Sequence, residues 1–201
     1  MALIKLNDRA VKDVTQFGSI SSLGSLTHIS TATASASASI EFTSGIDSTY
    51  KEYVFYLVNI HPSTNFIDLQ FNLSTDGGSN YNVSKTTTYF RTYNYEGVAI
   101  NNLEYSSDKD LANGTGEQQI SDNSGASSDE AISGYLQLFN PSSTTYVKHF
   151  LVDTNSYSHD DASERAFVGG YANTTSAINA IRFKFASGNI DSGQILLFGV
   201  N

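Results

Sequence analysis

Apolar and polar residues alternate with a period of two in several short segments of the chain. Residues 66–74 (FIDLQFNLS) place apolar side chains at every second position and polar side chains between them. Residues 181–185 repeat this pattern, with Ile181, Phe183 and Phe185 separated by two basic residues. Such alternation predicts β-strands that have one face on a core and the other in water.

Two other segments, residues 53–58 (YVFYLV) and 195–198 (ILLF), are apolar at every position. Continuous apolar segments of this length are typical of strands that are covered on both faces. Either the same chain or a second copy supplies the outer cover, and the pattern does not separate the two. We predict an oligomer interface that is formed by the side chains of Tyr53, Phe55, Leu57, Leu196 and Phe198.

Further segments of strand character are separated by clusters of Gly, Asn, Asp, Ser and Pro, which favour turns. The predicted strands are residues 31–39, in which methyl and hydroxyl side chains alternate, and residues 86–95, 134–139, 145–152 and 165–171. The polar stretch 101–129 predicts one long loop segment, the excursion after the strand 86–95, with a helical turn near residues 103–111. Many strands without a sustained helical pattern predict an all-β fold, an antiparallel β-sandwich with jelly-roll topology.

The first 26 residues lack sustained periodicity and contain scattered Gly, Ser and Thr. We expect an extended N-terminal arm over residues 1–26 and a single sandwich domain over residues 27–201. The segment Met1–Arg9 becomes charged after six residues, and no apolar run approaches the ~18 residues of a membrane span. The sequence therefore predicts neither a secretion signal nor membrane insertion.

Composition narrows the classes of function. The 201 residues carry 11 Lys and Arg against 20 Asp and Glu, a net charge of −9, which argues against nucleic acid as a partner. The absence of cysteine excludes disulfides, thiolate zinc sites and a cysteine nucleophile. Nearly a third of the chain is Ser, Thr or Asn, which suits turns and exposed strand faces better than helices.

Candidate chemistry is sparse. No two of the four histidines, His28, His61, His149 and His159, have the spacing of a helical metal site. The cluster His159-Asp160-Asp161 with Glu164 contains ligand types, but a solvated acidic loop explains it more simply. Residues 122–130 offer oxygen ligands for calcium without the EF-hand spacing. We predict no metal site and no cofactor.

Motifs for catalysis are absent as well. The sequence has no GxSxG, no phosphate-binding lysine loop, no HExxH and no GxGxxG. A carboxylate pair of glycosidase type depends on the fold and stays open as an alternative. The chain has no Trp to form a sugar platform, and we predict that the protein is not an enzyme.

A resemblance to known proteins is carried by residues 42–53 (FTSGIDSTYKEY), 140–150 (NPSSTTYVKHF), 170–185 (GYANTTSAINAIRFKF) and 187–200 (SGNIDSGQILLFGV). These segments resemble a family of small virion proteins of tailed marine and cyanobacterial phages. The resemblance extends from about residue 35 to the end of the chain, and the first seven residues also look similar. Members are described as structural, tail-fibre or hypothetical proteins, so no catalytic residues are carried over.

The resemblance implies a non-enzymatic structural protein of a bacteriophage virion, assembled in the host cytoplasm. We expect a homotrimeric short tail fibre or receptor-binding appendage, attached to other virion proteins through the N-terminal arm. Its surface contacts with a host glycan would come from Tyr93, Tyr95 and Tyr105. A capsid decoration protein, which stabilises the head lattice, is the alternative that the sequence leaves open.

Overall fold

A computed structural model describes residues 25–201 of the chain. Twelve β-strands form two antiparallel sheets in these residues. The strands are β1 (Leu26–Thr33), β2 (Ile40–Phe42), β3 (Glu52–Pro62), β4 (Leu69–Ser74), β5 (Lys85–Tyr95), β6 (Asn101–Tyr105), β7 (Gln118–Gln119), β8 (Ile132–Phe139), β9 (Lys148–Ser158), β10 (Ala162–Ala172), β11 (Ala180–Phe185) and β12 (Ile190–Val200). The predicted all-β, antiparallel sandwich is confirmed.

The two sheets differ in width. The wide sheet has eight strands in the order β1-β12-β3-β8-β9-β10-β5-β6, and the narrow sheet has four in the order β2-β11-β4-β7. Four pairs are nested, because β1 pairs with β12, β2 with β11, β3 with β8 and β4 with β7. The remaining strands β5, β6, β9 and β10 extend the wide sheet beyond β8.

The core lies between the two sheets and is largely aromatic. Phe55 on the wide sheet packs against Phe42 and Phe183 on the narrow sheet, with ring centroids 5.3 and 5.7 Å apart. Further along, Phe71 meets Phe150 edge to face at 5.1 Å. Edge-to-face packing of this kind stabilises aromatic pairs beyond the burial of their area. These contacts fix the two sheets face to face.

Most predicted strands are present, but the one over residues 31–39 is not continuous. β1 ends at Thr33, and residues 34–39 carry the chain from the wide sheet to the narrow one. Ala36 has a positive φ of 49° in this crossing, and Ser37 makes a bridge to Ile190. A small-residue alternation therefore marks a sheet-to-sheet crossing as well as the end of a strand.

The polar face of β4 is not in water, in contrast to the expectation from its alternation. Asn72 is buried and its side-chain amide donates to the carbonyl oxygens of Tyr81 and Thr115, at 2.8 and 3.1 Å. The buried Lys85 ammonium donates to Asn72 Oδ1 at 2.5 Å, and burial lowers the pKa of Lys85 to about 8. Segments next to β5 and β7 thus cover a face that looked exposed.

The excursion after β5 contains no helical turn within the residues that the structure describes. Residues 101–105 form strand β6 and residues 118–119 form the short strand β7. The predicted helical turn at residues 103–111 is therefore wrong, because Asn101 to Tyr105 pair with β5. The predicted arm falls almost wholly outside the described residues, and Leu26 already belongs to β1.

Candidate functional site

The outer face of the wide sheet, which points away from the narrow sheet, carries a continuous row of large side chains. Strand pairing aligns one residue from each of the eight strands across the full width of the sheet. From the β6 edge to the β1 edge the row is Tyr105, Phe90, Phe167, Asp153, Tyr135, Tyr56, Leu196 and Thr31. Five of these eight are aromatic, on a face that lacks a covering sheet. We call this row the aromatic row.

A trough opens in the row on the strands β5, β10 and β9. The rings of Phe90 and Phe167 stack with centroids 4.9 Å apart, and Leu151 beside them is 50% exposed. Gly169 forms the floor, since it has no side chain between Thr88 and Leu151. The trough has a volume of about 370 Å³ and a mainly apolar wall.

A polar depression adjoins the trough and shares Tyr135 and Asp153 with it. Its other walls come from Ser133, Gly134, Asn155 and Arg165. Arg165 donates two hydrogen bonds to the Asp153 carboxylate at 2.7 and 2.5 Å and lies over the Phe167 ring at 4.5 Å. An apolar surface therefore continues directly into planar hydrogen-bonding groups.

The opposite end of the outer face is aromatic too. Tyr56 contacts Tyr135 at 6.3 Å and Phe198 at 5.6 Å between ring centroids, and Phe198 contacts His28 at 5.2 Å. Leu196 and Phe198 are half-buried on this face, as expected for side chains that one chain leaves partly covered. We call Tyr56, Leu196, Phe198 and His28 the β12 patch.

The other three predicted interface residues lie elsewhere. Tyr53, Phe55 and Leu57 point to the inner face and are sealed in the core of a single chain, at 0–1% exposure. In contrast to the prediction, these side chains are not open to a second copy, because Phe55 packs against the narrow sheet and the Tyr53 hydroxyl bonds Asp47 of the same chain. The side chains of the continuous apolar segment 53–58 alternate between two faces of the sheet. Those on the inner face belong to the core, whereas Tyr56 lies on the outer face.

The three tyrosines predicted as surface contacts separate in the same way. Tyr93 and Tyr95 are half-buried, and their rings meet at 5.7 Å. The register places Tyr93 on the same face as Glu164, whereas Tyr105 belongs to the aromatic row on the other face. Tyr105 is 55% exposed and its hydroxyl donates to Asp110. The three side chains do not form one contact surface.

A buried ionic cluster fills the inner side of β5, β6 and β10. Arg91 contacts Glu104 at 2.7 Å, Glu164 at 3.5 Å and also Asp122, and Lys109 contacts Asp122 at 2.7 Å. Burial raises the pKa of Glu164 to about 7, against the opposing effect of Arg91. This cluster holds the segment after β5 against the sheet, and its carboxylates Asp122 and Glu164 are buried.

The four histidines lie far apart in the fold. The side-chain amide of Asn65 donates to His159 Nδ1 at 2.6 Å, and the His159 ring contacts the exposed Phe66 ring edge to face. His61 contacts Ser127 O at 3.0 Å, and His149 lies beside Tyr171. Within residues 25–201 no group of three or more His, Asp or Glu side chains is placed to hold a metal ion.

The loop over residues 122–130, considered for calcium, is closed by its own side chains. Asp122 is used by Arg91 and Lys109, and the Glu130 carboxylate accepts from the backbone amide of Ser127. The side chains of Ser121 and Ser124 pair with each other at 2.9 Å. The carboxylates of Asp122 and Glu130 are therefore already bonded to other groups of the protein.

Comparison with known proteins gives no match, whether with family models, with curated proteins or with solved structures. No helix in the described part of the chain is long and apolar enough to cross a membrane. The aromatic row and its trough are a candidate functional surface, of which the sequence pattern predicted only Tyr105 and Leu196. Their only local signal was the alternation of Arg165, Phe167 and Gly169 on one face of a predicted strand.

Proposed function

We propose that this chain is a non-enzymatic structural protein of a bacteriophage virion, displayed as an oligomeric surface appendage. The observation that carries the proposal is the open aromatic row on an otherwise fully packed sandwich. Exposed apolar surface of this extent is costly in water unless it meets a partner. The resemblance of residues 42–53, 140–150 and 170–200 to phage virion proteins supplies the class of assembly.

The β12 patch supports self-association, and we propose a homotrimer formed there. Tyr56, Leu196 and Phe198 are half-buried, and the Phe198 ring packs against the rings of Tyr56 and His28, which gives a preformed apolar surface with little rotamer entropy to lose. Other virion proteins would bind the N-terminal arm, so that the sandwich extends from the particle.

The trough supports a host-surface glycan as the external ligand. Stacked Phe90 and Phe167 rings offer an apolar platform, and Arg165, Asp153 and Gln137 offer donors and acceptors at its border. A pyranose ring likewise has an apolar C–H face and hydroxyl groups around its edge. Such a ring can stack on the phenylalanine platform while its hydroxyl groups bond the polar side chains at the border, as small-ligand sites commonly combine apolar walls with a few polar groups. This proposal replaces the predicted contact through Tyr93 and Tyr95.

The strand order supports a jelly roll as the topology within the sandwich. The nested pairs run from the outside inward, first strand with last and second with second last, and alternate between the two sheets. Such nesting is the hallmark of a long hairpin wound into two Greek keys. Strands β5, β6, β9 and β10 are then insertions that widen one sheet.

Light scattering of the purified protein tests the proposed self-association. Phe198→Asp should abolish association through the β12 patch and leave a folded chain, because the charge falls within that patch. Leu151→Asp, also on the outer face but in the trough, is the control and should leave the oligomer intact. A wild-type chain that is monomeric at micromolar concentration would refute the proposal.

Quantitative mass spectrometry of purified phage particles tests the place in the virion. A few to tens of copies per particle indicate a tail appendage, whereas hundreds indicate decoration of the head. Absence of the protein from the particles would overturn the virion assignment itself.

A further inference from the structure

Strand β6 is an open edge of the wide sheet with an unusual concentration of exposed apolar side chains. Four of the ten strongly exposed large apolar residues within residues 25–201 lie in strand β6 and in the turn before it, residues 96–105. They are Val98, Ile100, Leu103 and Tyr105, with Leu103 at 67% exposure. A patch of this kind marks an interaction surface.

Backbone groups along β6 are also unpaired on the open side. The amide of Ser106 donates to Tyr89 O at 3.0 Å, and the Tyr95 amide donates to Ile100 O at 3.1 Å. Hydrogen-bonded pairs alternate along an antiparallel ladder, so the even-numbered residues of β6 bond to β5. Asn101, Leu103 and Tyr105 therefore direct their N–H and C=O groups away from the sheet.

The other sheet edges are blunted in ways that β6 is not. Strands β2 and β7 are three and two residues long, and β1 carries a register shift between His28 and Ser30. Strand β6 has no shift in its register with β5, and its sequence NNLEY contains neither Pro nor Lys. Short edges, bulges, Pro and Lys are the usual protection against edge pairing.

We propose that β6 pairs with β6 of a second copy, antiparallel and in register about Leu103. The twofold axis then sets Leu103 opposite Leu103 and Asn101 opposite Tyr105, with about six new backbone hydrogen bonds, two for each facing pair. The register is self-complementary in charge, because Glu104 faces Asn102 rather than another Glu104.

The pairing joins two wide sheets into one continuous sheet of sixteen strands. A five-residue ladder is small for a stable interface, and the four apolar side chains of the hairpin add the area that it lacks. The aromatic rows of the two copies then lie on the same face of the joined sheet and are offset by four residues along the strands, because Tyr105 faces Asn101 of the second copy. The contact is separate from the β12 patch and does not depend on the proposed virion function.

A single cysteine tests the register directly, because the natural chain has none. Facing residues of a hydrogen-bonded pair lie ~5.5 Å apart between Cα atoms, within the range of a disulfide. Leu103→Cys should form a covalent dimer under mild oxidation, seen on a non-reducing gel. Asn101→Cys alone should not, since two copies of residue 101 lie about 13 Å apart at ~3.3 Å per residue.

The double variant Asn101→Cys/Tyr105→Cys should again form the covalent dimer and thereby fix the register. Equal cross-linking by Asn101→Cys and Leu103→Cys would indicate random collision and overturn the proposal, as would no cross-link with Leu103→Cys. The same cysteines in the Phe198→Asp background separate the two contacts. A cross-link that persists there shows pairing through β6 whatever the outcome at the β12 patch.

Discussion

Phe55 and Tyr56 are neighbours on β3, and they have opposite surroundings. Phe55 points inward, is fully buried and packs against two rings of the narrow sheet. Tyr56 points outward and contacts only rings of its own sheet, at the border of the open face. The inner face of the wide sheet forms a closed core, whereas its outer face is open, and we propose that a partner or a ligand covers it.

The largest expected difference between the faces comes from truncating these two side chains. Phe55→Ala should lower the free energy of unfolding by about 3–5 kcal/mol, because it leaves a cavity in a dense core. Tyr56→Ala should cost about 1 kcal/mol or less, since its site can fill with water. Urea denaturation of both variants at one protein concentration, in the Phe198→Asp background that lacks the β12 contact, measures the difference. Similar losses for the two would show that the outer face is as tightly packed as the core.

Local alternation was sufficient to predict the strands that form the core. Ile181, Phe183 and Phe185 are all buried on β11 as their spacing indicates, and strand β5 begins one residue before its predicted start. A period of two fixes which side chains share a face, and this needs no knowledge of distant residues. The sandwich class followed for the same reason.

The sequence could not predict which faces are covered. The burial of Asn72 depends on Tyr81 and Thr115, and that of Phe55 depends on Phe183, which is distant in sequence. The trough likewise requires the register that brings Phe90 beside Phe167 across two strands. These are long-range pairings, and no pattern along one strand encodes them.

Two adjacent glycines on β10 allow the inner and outer faces of the wide sheet to be compared at the level of the backbone. A Cβ on Gly170 would lie 2.6 Å from Thr87 Cγ2 and 2.8 Å from both Phe150 Cζ and Thr86 O, too close for any real contact. Gly170→Ala should therefore destabilise the fold by about 1–3 kcal/mol through overpacking. Gly169→Ala meets only ordinary contacts at 3.6 Å and should leave the melting temperature within a few degrees of wild type.

The same pair separates stability from binding. Gly169→Ala raises the floor of the trough and should weaken binding of the proposed glycan while the fold is unchanged. Glycan-array binding and thermal melts of both variants give the two readouts. A destabilised Gly169→Ala, or a fully stable Gly170→Ala, would contradict the assignment of the two faces.

The ionic cluster predicts how stability varies with pH on the inner face. The pKa of Glu164 in the folded state is about 7, above the usual value of 4.5. Between pH 4.5 and pH 7 the folded state therefore keeps the Glu164 proton, whereas the unfolded chain has lost it. The contribution of Glu164 to the free energy of unfolding is therefore most favourable below pH 4.5 and decreases as the pH rises towards 7. Glu164→Gln should remove this dependence.

At pH 8, Glu164→Gln should raise the free energy of unfolding by about 1–3 kcal/mol, because no charge is then buried. Arg91 keeps Glu104 and Asp122 as partners in this variant. Urea denaturation at pH 5 and pH 8 checks it, with Glu96→Gln in the exposed hairpin as control. A variant that keeps the wild-type slope between these two pH values would show that another group carries it.

The smallest effect is expected at Arg165, the cation of the outer face. Its two hydrogen bonds to Asp153 have good geometry, but the guanidinium is half exposed and water screens the pair. The coupling energy between Arg165→Ala and Asp153→Ala should therefore be small and should shrink further in 1 M salt. A double-mutant cycle by urea denaturation in low and high salt measures it. A large coupling energy that resists salt would mean that the pair is shielded from water, and the outer face would then be covered rather than open.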